Sequence, residues 1–263
     1  MRDPGLDEAI RAAGGVGALA RKIGIAQPSV SNWGRVPAER VLLVEAVTGI
    51  DRGMLRPDLY RVPDAAISPA AGEIDEVDAA RAQEYALLAL LLGRAPSADL
   101  LSQIAKLRGD ASPLGLAHIA LAQAAAAADA ERVEREFFNL FIGIGRGELL
   151  PYGSYYLTGF LNERPLARLR ADLARLGITR AAGHIEPEDH AAILCDIMAG
   201  LAAGRFEAPP GAERDLFEKH LAPWIGRFFA DLEQAPAADF YRLVGTLGRL
   251  FISVESEAFT LAA

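Results

Sequence analysis

Between Phe240 and Val254, apolar side chains recur at Phe240, Leu243, Val244, Leu247, Leu250, Phe251 and Val254. Steps of three and four gather them on one face of a helix, whereas a strand would scatter them over both faces. The same spacing returns in Leu221, Trp224, Ile225, Phe228, Phe229 and Leu232, and in Leu87, Leu88, Leu91 and Leu92 ahead of Gly93. A long stretch from Leu114 to about Phe141 is alanine-rich and then charged. Apolar residues make up 51% of the chain but aromatic ones only 7%, so alanine and leucine carry the stripes. These are strong helix formers, β-branched runs are scarce, and the expected fold class is all-α. The stripes themselves read as core.

The helical pattern lapses once. "RVPDAAISPAAGEIDEVD" has Pro63, Pro69 and Gly72, several acids and no apolar stripe, and it reads as a linker. The expected organisation is therefore a small domain over 1–62, a linker over 63–79 and a larger helical domain over 80–263. Charge divides along the same line. Residues 1–62 hold nine Lys/Arg against seven Asp/Glu, whereas the remainder holds 18 against 28 and sets the net charge of −8. A slightly basic head on an acidic body suggests modules with different partners.

The longest uninterrupted apolar stretch, Tyr85 to Leu92, falls far short of the roughly 18–20 residues needed to cross a bilayer. The first residues lack the basic-then-apolar pattern of an export signal. Cys195 is the single cysteine, so neither an internal disulfide nor a cysteine zinc cluster can form. The expectation is a cytoplasmic protein that does not enter a membrane.

In the head, "VGALARKIGIAQPSVSNW" (Val16 to Trp33) has the spacing of a helix-turn-helix. Two steeply crossing helices need a small residue where they touch, here Ala20. The tight turn needs a residue tolerant of positive φ, here Gly24. Val30 and Trp33 would anchor the second helix, leaving Gln27, Ser29, Ser31 and Asn32 on other faces to reach bases or phosphates, with Arg35 placed for a phosphate. Ala26 cannot cap that helix, and Pro28 near its start partly compensates. The flanks "GLDEAIRAAGG" and "RVPAERVLLVEAVTGIDRGMLRPDLY" extend the pattern, and residues 5–60 resemble the Cro/YdaS-type regulators. That resemblance implies operator DNA as a partner and binding as a homodimer. The alternative is a head that packs or dimerises without reading DNA. Only about two net positive charges back it, so its non-specific affinity would be weak.

No enzyme signature occurs in the body: no G-x-S-x-G elbow, no H-E-x-x-H, and no cysteine nucleophile in a suitable setting. "GIGRGELL" supplies Gly143, Gly145 and Gly147 but lacks the Lys-Ser/Thr of a phosphate loop and follows a helix. Its glycines are expected to turn the chain from one helix toward the next. Phe137, Phe138 and Phe141 end a helix, and "PYGSYY" leads into another, with Pro151 fixing the entry and Ser154 placed to cap a helix from Tyr155. Aromatic residues beside such a loop suit a peptide-accepting groove as well as an ordinary core.

"IEPEDH", Ile185 to His190, follows His184. It could supply metal ligands, an acid/base pair or the start of a helix. No second ligand group at characteristic spacing supports a metal, since His118 and His220 stand alone. No substrate pocket signature supports acid/base chemistry. The helix start has positive support: Pro187 suits the first helical position, Glu188 and Asp189 the first turn, and Ile193, Leu194, Ile197, Met198 and Leu201 form one stripe below.

In combination, "F-x-x-L-F" (Phe137 to Phe141), "PYGSYY", "RLR…LGI" and "EPEDH" are similar to the TorD/DmsD family of all-helical chaperones for molybdenum-containing redox enzymes. The likeness covers residues 80–258. It implies a non-enzymatic maturation chaperone without a cofactor of its own. Such a chaperone binds the twin-arginine signal peptide, and the apo-form, of a catalytic subunit such as a formate dehydrogenase until the molybdenum cofactor is inserted. The peptide surface it implies comprises Phe137, Leu140, Phe141, Pro151, Ser154, Tyr155, Asp189 and His190. Two departures stand out: Phe137 occupies a position where the family commonly has Tyr, and neither Trp33 nor Trp224 lies near the loop in sequence. The alternative is a transcriptional regulator whose TorD-like body senses a client or ligand.

Overall fold

The computed structural model describes residues 3–37, 40–50, 52–56, 75–179 and 186–261. The chain is all-α, and the described residues form no strand; their β-type pairing is an isolated bridge between Tyr152 and His190. Two compact units emerge, 1–72 and 73–263.

The first unit contains α1 (Pro4–Ala13), α2 (Val16–Lys22), α3 (Gln27–Ser31), α4 (Val41–Thr48) and α5 (Arg52–Leu55). Asp3 caps α1 by accepting the Gly5 amide at 2.9 Å, and Gly14 ends it at φ 90°. Leu6, Ala9, Leu19, Ala20, Val30, Val36, Val41, Val44 and Leu55 close a small core. Ala20 is buried where α2 meets its neighbours, Gly24 takes φ 70° in the turn before α3, and Val30 is the buried anchor of α3. A Cβ on Gly5 would fall 2.1 Å from the Met54 carbonyl, so only glycine lets α1 approach α5 this closely.

The second unit begins earlier than the sequence suggested. Asp75 accepts the Val77 amide and starts α6 (Glu76–Gly93) within the segment read as linker; residues 57–74 lie outside the described ones. Then come α7 (Ala98–Ile104), α8 (Pro113–Ala127), α9 (Ala130–Phe137), α10 (Gly153–Thr158), α11 (Arg164–Arg175), α12 (Ala191–Ala202), α13 (Ala212–Leu216), α14 (Ile225–Gln234) and α15 (Phe240–Leu261). Helices α9 and α13 each run into one π-helical turn, 138–142 and 217–221. No helix among the described residues is long and apolar enough to cross a membrane.

Helix α12 is the central rod. Ala191, Ala192, Leu194, Cys195, Ile197, Met198, Ala199, Leu201 and Ala202 are all buried, against α6 among other elements, whereas Ile193 is only partly covered. Burial on nearly every side goes beyond the one-sided stripe expected from the sequence. Helices α14 and α15 pack closely because the Phe229 ring occupies the space a Cβ on Gly248 would need, 2.3 Å away. The start of α15 is held from a distance. The buried Glu136 carboxylate on α9 accepts the amides of Asp239 (2.8 Å), Phe240 (3.2 Å) and Tyr241 (2.7 Å). It thereby satisfies the donors that a helix start leaves open.

Candidate functional site

The "PYGSYY" segment and the "EPEDH" turn meet at one corner. Gly153 N–H donates to the Asp189 carbonyl at 2.9 Å, and Ala191 N–H to the Pro151 carbonyl at 2.8 Å, forming the short bridge between Tyr152 and His190. The Asp189 side chain then accepts the Ser154 amide through Oδ2 at 2.7 Å. Asp189, and not Ser154, therefore caps α10, which starts at Gly153 with Ser154 already in its first turn. On the other strand of the bridge His190, and not Pro187, opens α12, its Nδ1 accepting the Ala192 amide at 3.1 Å. That bond leaves the proton on Nε2, and burial lowers the imidazole pKa, so His190 is neutral here. Pro187 to Asp189 form a turn shaped by these long-range bonds; His184 and Ile185 lie outside the described residues.

Polar groups surround the corner. Tyr152 donates its hydroxyl to Glu186 at 2.6 Å and packs edge-on to the His190 ring, while Glu188 pairs with Arg170 at 2.8 Å. Burial, and then the Glu186 carboxylate, push the Tyr152 phenol above its ordinary range. Ser154 Oγ and Asp189 Oδ1 are buried without a hydrogen-bond partner among the described residues. No group of three metal-ligating side chains occurs among those residues.

Trp224, remote in sequence, lies directly under this corner. Its indole nitrogen donates to the His220 carbonyl at 2.7 Å and would sit 3.0 Å from a Cβ on Gly153, and its ring packs 5.6 Å from that of Tyr156. A tryptophan therefore supports the loop from within, contrary to what its sequence position suggested.

The aromatic triplet divides. Phe137 and Leu140 are core residues, Phe141 is partly covered against Tyr241 and Phe228, and Phe138 is 40% exposed. After the π-helical turn the chain reverses through Gly143 (φ 62°) and Gly145 (φ 88°). A Cβ on Gly143 would fall 2.1 Å from the Arg146 carbonyl, so the close turn of the loop itself requires glycine there. Arg146 donates to the Tyr155 hydroxyl at 2.8 Å and stacks over its ring. These two line a cavity of about 420 Å³ with Glu148, Leu150, Tyr156, Arg227 and Asp231. Ile142, Ile144 and Phe160, exposed on the loop and just beyond α10, add apolar surface. Sequence reasoning missed Arg146, Arg227 and Asp231; only Arg146, alone among the loop glycines, carried a local signal.

Of the eight peptide-contact candidates, Pro151, Ser154, Asp189 and His190 thus share the buried corner, Phe137 and Leu140 lie in the core, and Tyr155 with part of Phe141 remains accessible. In the head, Gln27, Ser29, Ser31, Asn32 and Arg35 are all exposed around α3. Gln27 leans back on α2, its Oε1 3.2 Å from where a Gly17 Cβ would lie. As expected, Ala26 provides no side-chain cap.

These features define a helix-turn-helix unit and an all-helical body with one built corner, and comparison with known proteins specifies both. Residues 108–230 match the family model of the nitrate reductase delta subunit, and residues 6–63 match that of the bacterial toxin YdaS. The chaperone protein TorD of Vibrio cholerae serotype O1 is 31% identical over 126 residues, covering 44% of this chain and 57% of its own length. TorD of Aliivibrio fischeri is 29% identical over 130 residues, covering 46% and 60%. The chain thus spans less than two thirds of the length of these relatives. A solved structure from Archaeoglobus fulgidus, described as a candidate redox enzyme maturation protein, aligns at 21% identity and a TM-score of 0.46 over 67% of this chain and 93% of its own. The body is TorD-like and the head YdaS-like, as the motifs implied.

Proposed function

We propose that this chain is a cytoplasmic chaperone, not an enzyme, for the maturation of a molybdenum-cofactor redox enzyme. Its body binds the twin-arginine signal peptide, and the apo-form, of the catalytic subunit until the cofactor is in place. The observation that carries this reading is a coincidence in space. The TorD-like segment contains the glycine loop, α10 and the turn before α12, and these converge on one corner beside an open cavity. Within this reading Tyr155 and Arg146 touch the peptide, with Glu148 and Asp231 offering carboxylates to its arginines and Ile142, Ile144 and Phe160 meeting its apolar stretch. Ser154, Asp189 and His190 hold the loop in shape, and Phe137, Leu140, Phe141 and Pro151 back it from the core.

The test is a titration of the purified chain with the signal peptide of a molybdoenzyme catalytic subunit, such as a formate dehydrogenase. Tyr155→Ala is expected to weaken binding about tenfold, or about 1.4 kcal/mol. Unchanged affinity in Tyr155→Ala would remove this face from the site.

A second reading is favoured by the head, whose recognition side chains are all exposed: a transcriptional regulator that uses the body as a client sensor. The two readings combine if client occupancy is tied to transcription of the client's operon. A gel shift on the upstream region, lost in Asn32→Ala, supports a DNA-reading head acting as a homodimer. The absence of any shift at low salt would rule it out.

A further inference from the structure

A second cavity, of about 400 Å³, opens on the other side of the corner, between α10, α11 and the π-helical turn at 217–221. Its walls include Leu157, Pro165 and Leu169, and its charged lining is mainly cationic: Arg168, Arg175 and Lys219, against Asp172 and Asp189. Such a lining is unexpected in a body, 73–263, where acids outnumber bases 27 to 18.

The charges within it are not mutually exhausted. Asp172 is engaged on both oxygens, with Arg175 on Oδ1 and His220 Nε2 at 2.6 Å on Oδ2. A carboxylate only accepts, so Nε2 carries the proton. Burial, reinforced by Lys219, Arg168 and Arg175, lowers the His220 pKa. Lys219 reaches Asp215 at 2.8 Å, an exposed pair that contributes little and exchanges readily. Arg168 is exposed and makes no ion pair or hydrogen bond among the described residues. The 98%-buried Asp189 also lines the cavity; its unpartnered Oδ1 only accepts, so an anionic ligand has to be held by Arg168 and Lys219 and not by this group. The π-helical turn that presents Lys219 and His220 departs from regular helix at this point, as such turns often do where a ligand binds.

We propose that this cavity is a subsite for an acidic side chain of the bound client polypeptide, its carboxylate held by Arg168 and Lys219 and its aliphatic stem by Leu157, Pro165 and Leu169. The proposal rests on the reading of the body as a polypeptide-binding chaperone and adds to it the chemistry of a second contact. The client segment recognised here carries an acid, whereas the arginines of the leader belong to the Tyr155 side. Arg168 suits the task because a guanidinium accepts a carboxylate in bidentate fashion without losing an existing partner.

The experiment uses the full chain and follows the indole N–H of Trp224, which hydrogen-bonds His220 at the cavity edge, by two-dimensional NMR. The chain has two tryptophans, and Trp33→Phe assigns the signal. The probes are an acetylated five-residue peptide with a central glutamate between leucines, its glutamine counterpart, and inorganic phosphate. Saturable shifts with the glutamate peptide, at least tenfold weaker with glutamine, are expected. Arg168→Glu should abolish the preference and Arg168→Lys retain part of it, both with unchanged circular dichroism. Equal binding of the two peptides, or an unaffected Arg168→Glu, overturns the proposal, as does phosphate binding more tightly than the glutamate peptide, which would mark a free-anion site. The signal-peptide titration is independent of these probes. Leader binding that survives in Arg168→Glu while the glutamate and glutamine peptides bind wild type alike would therefore sink this subsite and leave the chaperone reading in place.

Discussion

The two units separate packing from recognition in opposite ways. In the head, the side chains assigned to recognition are those the core leaves over: Val30 is buried while Gln27, Ser29, Ser31 and Asn32 stay outside. In the body, the motif residues are themselves structural. Asp189 caps α10, His190 caps α12, and Phe137 and Leu140 fill the core. A head of short helices can change its exposed side chains without changing how it folds. The body cannot alter its motif without disturbing the corner that carries its surface.

Substitutions can break this contrast, and the largest effect is expected at Glu136. Glu136→Ala leaves three amides at the start of α15 without their acceptor, so denaturant unfolding of the body should lose about 3 kcal/mol. A loss below about 1 kcal/mol would show that water replaces the cap. Asp189→Ala strips one buried amide of its partner and should cost about 2 kcal/mol. The signature to check is joint: body stability and leader affinity fall together, while a gel shift by the head is unchanged. In the head, Asp3→Ala removes a local cap and should cost about 1 kcal/mol, read as a lower midpoint for the first unit only. The smallest effect belongs to Asn32→Ala, expected within about 0.5 kcal/mol of wild type by thermal melting, although DNA binding is lost. A clear destabilisation there would erase the distinction between the units.

What could be read from the sequence follows the range of the interactions. The helical stripes, the turn at Gly24 and the buried Val30 depend on residues a few positions apart, and they were legible. The start of α12 was not. Pro187 and two acids make a good local start signal, but backbone bonds to Pro151 and Gly153, more than thirty residues earlier, override it and move the start to His190. Trp224 beneath Gly153 and Glu136 at the start of α15 are long-range in the same way. The candidate peptide contacts were legible as a cluster through the family resemblance, but their division into buried braces and an accessible Tyr155 depends on packing that no local pattern encodes. Arg227 and Asp231 join Tyr156 at the cavity by tertiary contact alone.

The central claim is that the body recognises a twin-arginine leader. Calorimetric titration of the full chain with the twin-arginine leader peptide of a molybdoenzyme catalytic subunit, and with the same peptide carrying two lysines in place of the arginines, tests it most directly. The account predicts saturable binding of the arginine peptide and at least about tenfold weaker binding of the lysine form, because the bidentate guanidinium contacts are lost. Equal affinity for the two peptides, or no binding of either, would contradict it.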